Sequence, residues 1–249
     1  MFIVDNESNI DLTSHSKTHP MNSNKSIARL AGLLYLIVVL TGMFSLLFVP
    51  SRLIVPGDDA VTVSNIIANE TLFRLGILAS VVCYLAFLTL PLVLFKLLNH
   101  INKTHAILMV ALASVSVPIT LINLLNRFAV LTWLGNADYI ARDQVQTEVM
   151  LHLDYYNNGI QLASIFWGLW LFPFGYLVFK SGFIPKIFGV LLMAGCIGYL
   201  INFIGKFFFP GYGDLSISSI VGMPSALGEI GVCLWLLIVG VRNASRGNA

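Results

Sequence analysis

Charged residues are scarce in this chain of 249 amino acids. Asp, Glu, Lys and Arg together make up 10% of it, whereas soluble globular domains contain about a quarter. Hydrophobic residues make up 57% of the chain, and the mean hydropathy is +0.84. So little charge cannot cover the surface of a water-soluble domain. The composition excludes that class and indicates an integral membrane protein.

Acidic residues are absent from one alternate set of the polar segments that separate six long apolar stretches. Past the N-terminal tail, this set has basic residues and no Asp or Glu. The other set, at 50–71, 134–156 and 209–219, has most of the acidic residues and only Arg52 and Arg142 as basic ones. The positive-inside rule places the basic set in the cytoplasm. We therefore expect a multi-pass protein of the plasma (inner) membrane with both termini cytoplasmic. The basic set consists of Lys17, Lys25, Arg29, Lys96, Lys103, Lys180, Lys186, Arg242 and Arg246.

The length of the chain fits six membrane-spanning helices joined by short loops. About 20 helical residues cross the hydrocarbon core of a bilayer. We predict an all-α six-helix bundle with a disordered cytoplasmic tail at 1–26 and a second tail at 242–249. Short amphipathic helices are expected in the first two extracytoplasmic loops, after Asp58 and from about Asp143 to Asp154. The predicted spans are 27–49, 72–98, 104–134, 157–179, 187–209 and 220–241.

The first residues and the reactive side chains give no sign of a known chemistry. Residues 1–20 lack the basic and apolar regions of a secretory signal, and Met21 is an alternative start. The three cysteines lie inside apolar stretches, and no His or Cys spacing matches a metal site. Nucleophile and phosphate-binding motifs are also absent. We expect no metal, cofactor or nucleic-acid partner, and nothing argues for an enzyme.

Polar side chains inside the spans fall on single helical faces and at one depth. Ser116, Thr120, Asn123 and Arg127 share a face of span 3, and the other spans show similar stripes. Polar groups are costly in lipid and normally face the bundle interior. The sequence therefore predicts an outward-facing polar cavity in the outer half of the membrane. Its predicted lining is Arg74, Asn123, Arg127, Asn157, Gln161, Asn202 and Glu229, and Lys206 falls at the same depth.

Glu229 is the one acidic residue well inside a span. An isolated carboxylate there would cost several kcal/mol, so we expect an ion pair of Glu229 with Arg127, with Arg74 nearby. The excess of basic residues at this level also suggests a small anionic ligand, such as a carboxylate or a lipid phosphate. Interhelical hydrogen bonds that only fix packing are the competing interpretation of the same stripes.

Several short sequences resemble a bacterial family of polytopic membrane proteins known only as domain of unknown function 4386. They include 28–35 (ARLAGLLY), 72–76 (LFRLG), 181–186 (SGFIPK) with Gly189 and Gly195, and 234–237 (LWLL) after Glu229. The resemblance covers nearly all of the chain except the tail. It implies a six-span inner-membrane protein, and it brings no activity, ligand or catalytic residue.

The sequence leaves three functions open. The first is a membrane protein that binds, or also transports, a small or lipidic ligand in the outward-facing cavity, in contact with membrane lipids. The second is a structural or assembly protein without a ligand. The third is an intramembrane enzyme. The oligomeric state does not follow from the sequence.

Overall fold

The computed structural model describes residues 20–136 and 141–241, and these residues form helices joined by short connections. Six helices are long and apolar enough to cross a membrane, so the predicted all-α six-span architecture is confirmed. Of the predicted tails at 1–26 and 242–249, residues 1–19 and 242–249 lie outside the described residues, and residues 20–26 belong to the first helix, which begins at Pro20. Spans 1 to 6 are Asn24–Leu53, Glu70–Leu98, Lys103–Gly135, Arg142–Lys180, Lys186–Phe208 and Ser216–Ile238.

The six spans form a ring. Each span packs against the next one along the chain, and span 6 packs against span 1. We call the end with the chain termini and the 2–3 and 4–5 connections the proximal end. The opposite end, with the 1–2, 3–4 and 5–6 connections, is the distal end; it corresponds to the predicted extracytoplasmic side. The ring arrangement makes the space between the spans the natural place for a cavity.

The proximal half of the ring is filled by apolar side chains. Leu90, Leu94 and Leu98 of span 2 and Leu177 and Val178 of span 4 are fully buried, and all belong to one large core. Small residues let the adjacent helices approach closely. The ring is therefore closed by tight packing near the chain termini.

Spans 5 and 6 approach each other backbone to backbone through glycine. A Cβ added at Gly195 would lie 2.7 Å from the Cα of Ser225 and 2.9 Å from its backbone nitrogen. On the neighbouring turn, a Cβ at Gly198 would overlap the carbonyl oxygen of Val221. These contacts agree with the close approach expected from the small residues of span 5, and they fix span 6 along most of its length.

Span 1 changes its helical geometry in its distal half. Residues Phe44–Phe48 form a π-helix, in which the N–H of Val49 donates to the carbonyl of Phe44. Pro50 follows, and it has no N–H to donate to the carbonyl of Leu46, which favours this wider turn. The same half of span 1 leans on span 2, since a Cβ at Gly76 would lie 3.0 Å from the side chain of Val49.

The distal connections differ from each other. Asp59–Ala68 forms the expected first-loop helix, and the Asp58 side chain accepts a hydrogen bond from the N–H of Val61 at its start. Ile66 is buried, whereas Ile67, expected on the same face, is exposed. The expected separate helix at 143–154 is not formed. These residues instead extend span 4, whose helix runs without interruption from Arg142 to Leu169.

The distal extension of span 4 has a packing reason. Val145, Val149 and Leu153 recur along one face and are buried. They form a small second core with Ile66 of the first-loop helix and with Phe73 of span 2. A helix that can bury such a stripe against a neighbour gains by continuing beyond the membrane, so the chain does not break at Tyr155 and Tyr156.

The contact between spans 5 and 6 predicts unequal effects of two glycine substitutions. Gly195→Ala should lower the free energy of unfolding by about 1–3 kcal/mol, because the new methyl group meets backbone atoms. Thermal unfolding of the protein in detergent measures the change.

Gly222→Ala is the matched control on the same interface. Its Cβ would meet only the Nδ2 atom of Asn202, at 3.6 Å, so its melting temperature should equal or exceed that of the wild type. Equal losses in the two variants would show that close backbone approach does not stabilise this helix pair.

Candidate functional site

A cavity of about 430 Å³ lies within the ring. Spans 1, 2, 4, 5 and 6 all contribute to its wall. Two of the contributing spans are irregular beside the cavity. Span 1 contains the π-helix Phe44–Phe48, and the helix of span 4 is interrupted at Trp170. Pro173 explains the second irregularity, because it cannot donate to the carbonyl of Leu169. We call this space the central cavity.

The central cavity opens sideways between spans 1 and 6. Its wall includes Met43, Leu47 and Ile230, which are also exposed on the outside of the bundle. Near the proximal end the same two spans touch, since a Cβ at Gly32 would lie 2.7 Å from the backbone nitrogen of Leu237. Span 1 then leans towards span 2 and span 6 stays against span 5. A lateral opening results on the distal side of this contact, at the level of Met43, Leu47 and Ile230.

The wall of the central cavity is aromatic and apolar around one carboxylate. Glu229 lies there beside Tyr35, whose side chain is 1% exposed. Within the described chain, the hydroxyl of Tyr35 lies next to Glu229 and forms no well-aligned hydrogen bond. Buried polar atoms are normally hydrogen-bonded, so this site has unused hydrogen-bonding capacity. The aromatic lining residues are Tyr35, Tyr84, Phe87, Trp167, Trp170 and Tyr199.

A second, more polar cavity of about 380 Å³ lies between spans 4 and 5. Asn157 and Gln161 of span 4 and Asn202 and Lys206 of span 5 line it. Asn202 also donates to the carbonyl oxygen of Ser218 at 3.0 Å and accepts from the hydroxyl of Tyr212 at 3.0 Å. We call this space the polar cleft. Tyr199 lines both the cleft and the central cavity.

Asn123 and Arg127 lie elsewhere, buried between spans 3 and 4. The Asn123 amide donates to the carbonyl oxygen of Tyr156 at 2.8 Å. The guanidinium carbon of Arg127 lies 4.1 Å from the ring centroid of Tyr156 and 5.6 Å from that of Phe73. Arg127 is 3% exposed, and its Nε and Nη1 atoms have no hydrogen-bond partner among the described residues. The two aromatic rings therefore take the place of an acidic partner.

Arg74 does not line a cavity. Its Nη2 atom is 2.6 Å from the Oε1 atom of Glu70, one turn earlier, and the two side chains are 59% and 48% exposed. This is a surface ion pair at the distal end of span 2, and such pairs contribute little to stability. Glu70 and Arg74 are four residues apart in one helix, so the sequence alone predicts this pair.

The predicted ion pair of Glu229 with Arg127 and Arg74 is wrong. In the part of the chain that the structure describes, the pair of Arg74 with Glu70 is the one salt bridge formed. The reason is that equal depth in the membrane does not bring residues together when their helices face different parts of the ring. The predicted site residues are divided among the central cavity, the polar cleft, the spans 3–4 contact and the surface.

Sequence reasoning missed the aromatic wall of the central cavity. Trp167, Trp170, Tyr35 and Tyr84 are spaced like ordinary core residues, and no polar stripe marks them. A search for aromatic residues at the depth of Glu229 would have found them. Across residues 20–136 and 141–241, no group of three or more His, Cys, Asp or Glu side chains could hold a metal ion.

The contact of Arg127 with Tyr156 predicts a difference between two substitutions of the tyrosine. Tyr156→Leu should lower the free energy of unfolding by about 2 kcal/mol or more, because it removes a desolvated cation–π contact. Tyr156→Phe retains the ring, and the hydroxyl, which lies near that of Tyr84, forms no well-aligned hydrogen bond in the described structure, so the melting temperature should stay close to that of the wild type. A loss of equal size in both variants would assign the stabilisation to the hydroxyl group.

Comparison with known proteins adds a family and no activity. No solved structure matches the chain. An uncharacterised protein of Archaeoglobus fulgidus is 35% identical over 88 residues, which are 35% of this chain and 50% of that protein. The chain thus spans half the length of this curated relative. The sequence profile of a domain of unknown function, DUF4386, matches residues 30–240. Together with the six spans, this match shows that the chain is a member of the DUF4386 family of membrane proteins.

Proposed function

We propose that the protein binds an amphiphilic, lipid-like ligand in the central cavity. The observation that carries the proposal is a cavity with a polar centre, Glu229 and Tyr35, inside an apolar and aromatic wall that opens sideways through Met43, Leu47 and Ile230. The polar group of the ligand would lie at Glu229. Its apolar part would leave between spans 1 and 6 into the acyl chains.

Two features of the structure support ligand binding over a purely structural role. A packing role for Glu229 requires a hydrogen-bonded or ionic partner in the bundle, because an unpaired buried carboxylate is costly. Tyr35 is the hydroxyl beside it, and within the described residues the two groups form no well-aligned hydrogen bond. The cavity also has a volume typical of small-molecule sites.

The polar cleft supports a second candidate, the small anionic ligand expected from the sequence. Lys206 is the basic residue of the cleft, and it lies there with the amide side chains of Asn157, Gln161 and Asn202. An ammonium group with several amide donors around it suits a carboxylate or a phosphate.

We also propose that the protein lies in the plasma membrane with both termini and the proximal end in the cytoplasm. The distribution of Lys and Arg supports this orientation. The distal half, with the lateral opening, would then lie in the outer leaflet.

Filling the central cavity tests ligand binding. Gly42 lines it, and a Cβ there would meet only the sulfur of Cys83, at 3.5 Å. Gly42→Leu should therefore fold while its side chain occupies the space. Native mass spectrometry of protein purified in mild detergent should show a retained amphiphile on the wild type and none on this variant.

Gly42→Ala is the matched control and should keep the retained molecule, because one methyl group leaves most of the cavity open. Lipid adducts of equal amount on the wild type and on a folded Gly42→Leu protein would place the bound molecules outside the cavity and contradict the proposal.

Cysteine labelling tests the proposed orientation. Asp59 and His100 are exposed at opposite ends of the bundle, and the three native cysteines are buried. A membrane-impermeant maleimide should label Asp59→Cys in intact cells and His100→Cys only after permeabilisation. The reverse pattern would invert the orientation.

A further inference from the structure

The chemistry of the central cavity indicates the charge of its ligand. We propose that this site selects an organic cation, an ammonium or similar group attached to apolar substituents, with Glu229 as its counter-ion and the surrounding aromatic rings as its wall. This inference rests on the proposed ligand-binding function and specifies its ligand class. It differs from the anionic ligand expected at this level from the sequence.

The cavity has a negative group and no positive one. Among the described residues, those that line it include Glu229 and no Lys, Arg or His. Arg127 is stacked on Tyr156 and is not among the lining residues, and Arg74 is paired with Glu70 at the surface. A carboxylate in such surroundings attracts a cation strongly, because little water competes for it. An anion would meet the same carboxylate as a repulsive charge.

The wall provides the second element of cation recognition. The faces of Trp, Tyr and Phe rings attract cations, and groups of such rings around a carboxylate are suited to alkylated ammonium groups. Trp170 stacks on Phe174 at 5.0 Å between centroids and meets Phe87 edge to face at 5.1 Å, so the rings are held in place by one another. A rigid wall loses little conformational entropy when a ligand binds.

The third element is a buried hydroxyl next to the carboxylate. The Tyr35 side chain lies beside Glu229, is 1% exposed, and its hydroxyl forms no well-aligned hydrogen bond in the described part of the chain. A hydroxyl in this position can donate to the carboxylate, and it would help to orient Glu229 towards the cation. The lateral opening gives an apolar cation a route from the bilayer, where such cations accumulate.

Two probes of the same shape and opposite charge test the proposal. Binding of tetraphenylphosphonium and of tetraphenylborate to the purified full-length protein would be measured by equilibrium dialysis. The same measurement on micelles without protein and on the Gly42→Leu variant gives the amount of each ion that enters the detergent without binding in the cavity. We expect wild-type protein to bind the phosphonium ion above both controls and to show no such excess for the borate. Glu229→Gln should weaken phosphonium binding by about tenfold or more, because it removes a desolvated counter-charge.

A second pair of variants keeps the test decisive if Glu229→Gln does not fold. Trp167→Leu removes an aromatic face and should weaken phosphonium binding by about three- to tenfold. Trp167→Phe retains an aromatic face and should keep binding within about twofold of the wild type by the same reasoning.

Adding lipids to the dialysis distinguishes two sources of the cation. Displacement of phosphonium by phosphatidylethanolamine but not by phosphatidylglycerol would identify a lipid ammonium headgroup as the ligand. Displacement by neither lipid would indicate a free lipophilic amine.

The inference can fail while the proposed function stands. Borate binding equal to phosphonium binding, or phosphonium binding unchanged in a folded Glu229→Gln protein, would overturn the cation assignment. If the wild type still retained an amphiphile that Gly42→Leu lost, the cavity would remain a ligand site of another charge class. If the wild type neither bound the phosphonium ion above the controls nor retained an amphiphile that Gly42→Leu lost, both proposals would be wrong.

Discussion

The close contact of spans 5 and 6 is the constraint on which the shape of the bundle depends. In lipid no hydrophobic force draws helices together, so packing and small residues decide which pairs approach. Gly195 and Gly198 let the backbone of span 6 lie against span 5 over most of its length. Because span 6 is held on that side, it does not follow span 1 when span 1 leans towards span 2. The central cavity and its lateral opening are the space left between them.

Two prolines place irregular backbone next to this space. Pro50 accompanies the π-helix of span 1, and Pro173 follows the interruption of span 4 at Trp170. Unpaired backbone groups are tolerated in a membrane where they face a cavity or other protein atoms. The wider turn of span 1 beside the cavity also moves the side chain of Leu46 relative to a regular helix. The cavity is thus shaped by backbone geometry as well as by side-chain size.

The architecture was predictable from the sequence because it depends on one-dimensional signals. Six apolar stretches of sufficient length required six helices, and Asp58 marked the start of the first-loop helix. The residues of the polar cleft can also be identified in the sequence. Asn157 and Gln161 lie on one face of span 4, and Asn202 and Lys206 lie on one face of span 5. The extension of span 4 was missed because Val145, Val149 and Leu153 find their partners in distant parts of the chain.

The partner of Glu229 was not predictable by the same means. Depth in the membrane gives one coordinate of a side chain, and the rotation of its helix and the order of helices around the ring give the others. Arg127 satisfies its charge with the ring faces of Tyr156 and Phe73. A search for acidic partners does not consider such contacts. Charge counting therefore paired residues that do not meet in the structure.

The closure of the ring by the first and last spans has a consequence for biosynthesis. The thiol of Cys233 contacts the carbonyl oxygen of Gly32, 201 residues earlier in the chain. Ribosomal synthesis releases span 6 last, so the first span must wait in the bilayer for its final neighbour. Until then the tyrosine at position 35 can pack on its aromatic neighbours of span 4 but has no carboxylate beside it. The carboxylate pocket is thus completed only when the sixth span joins the other five.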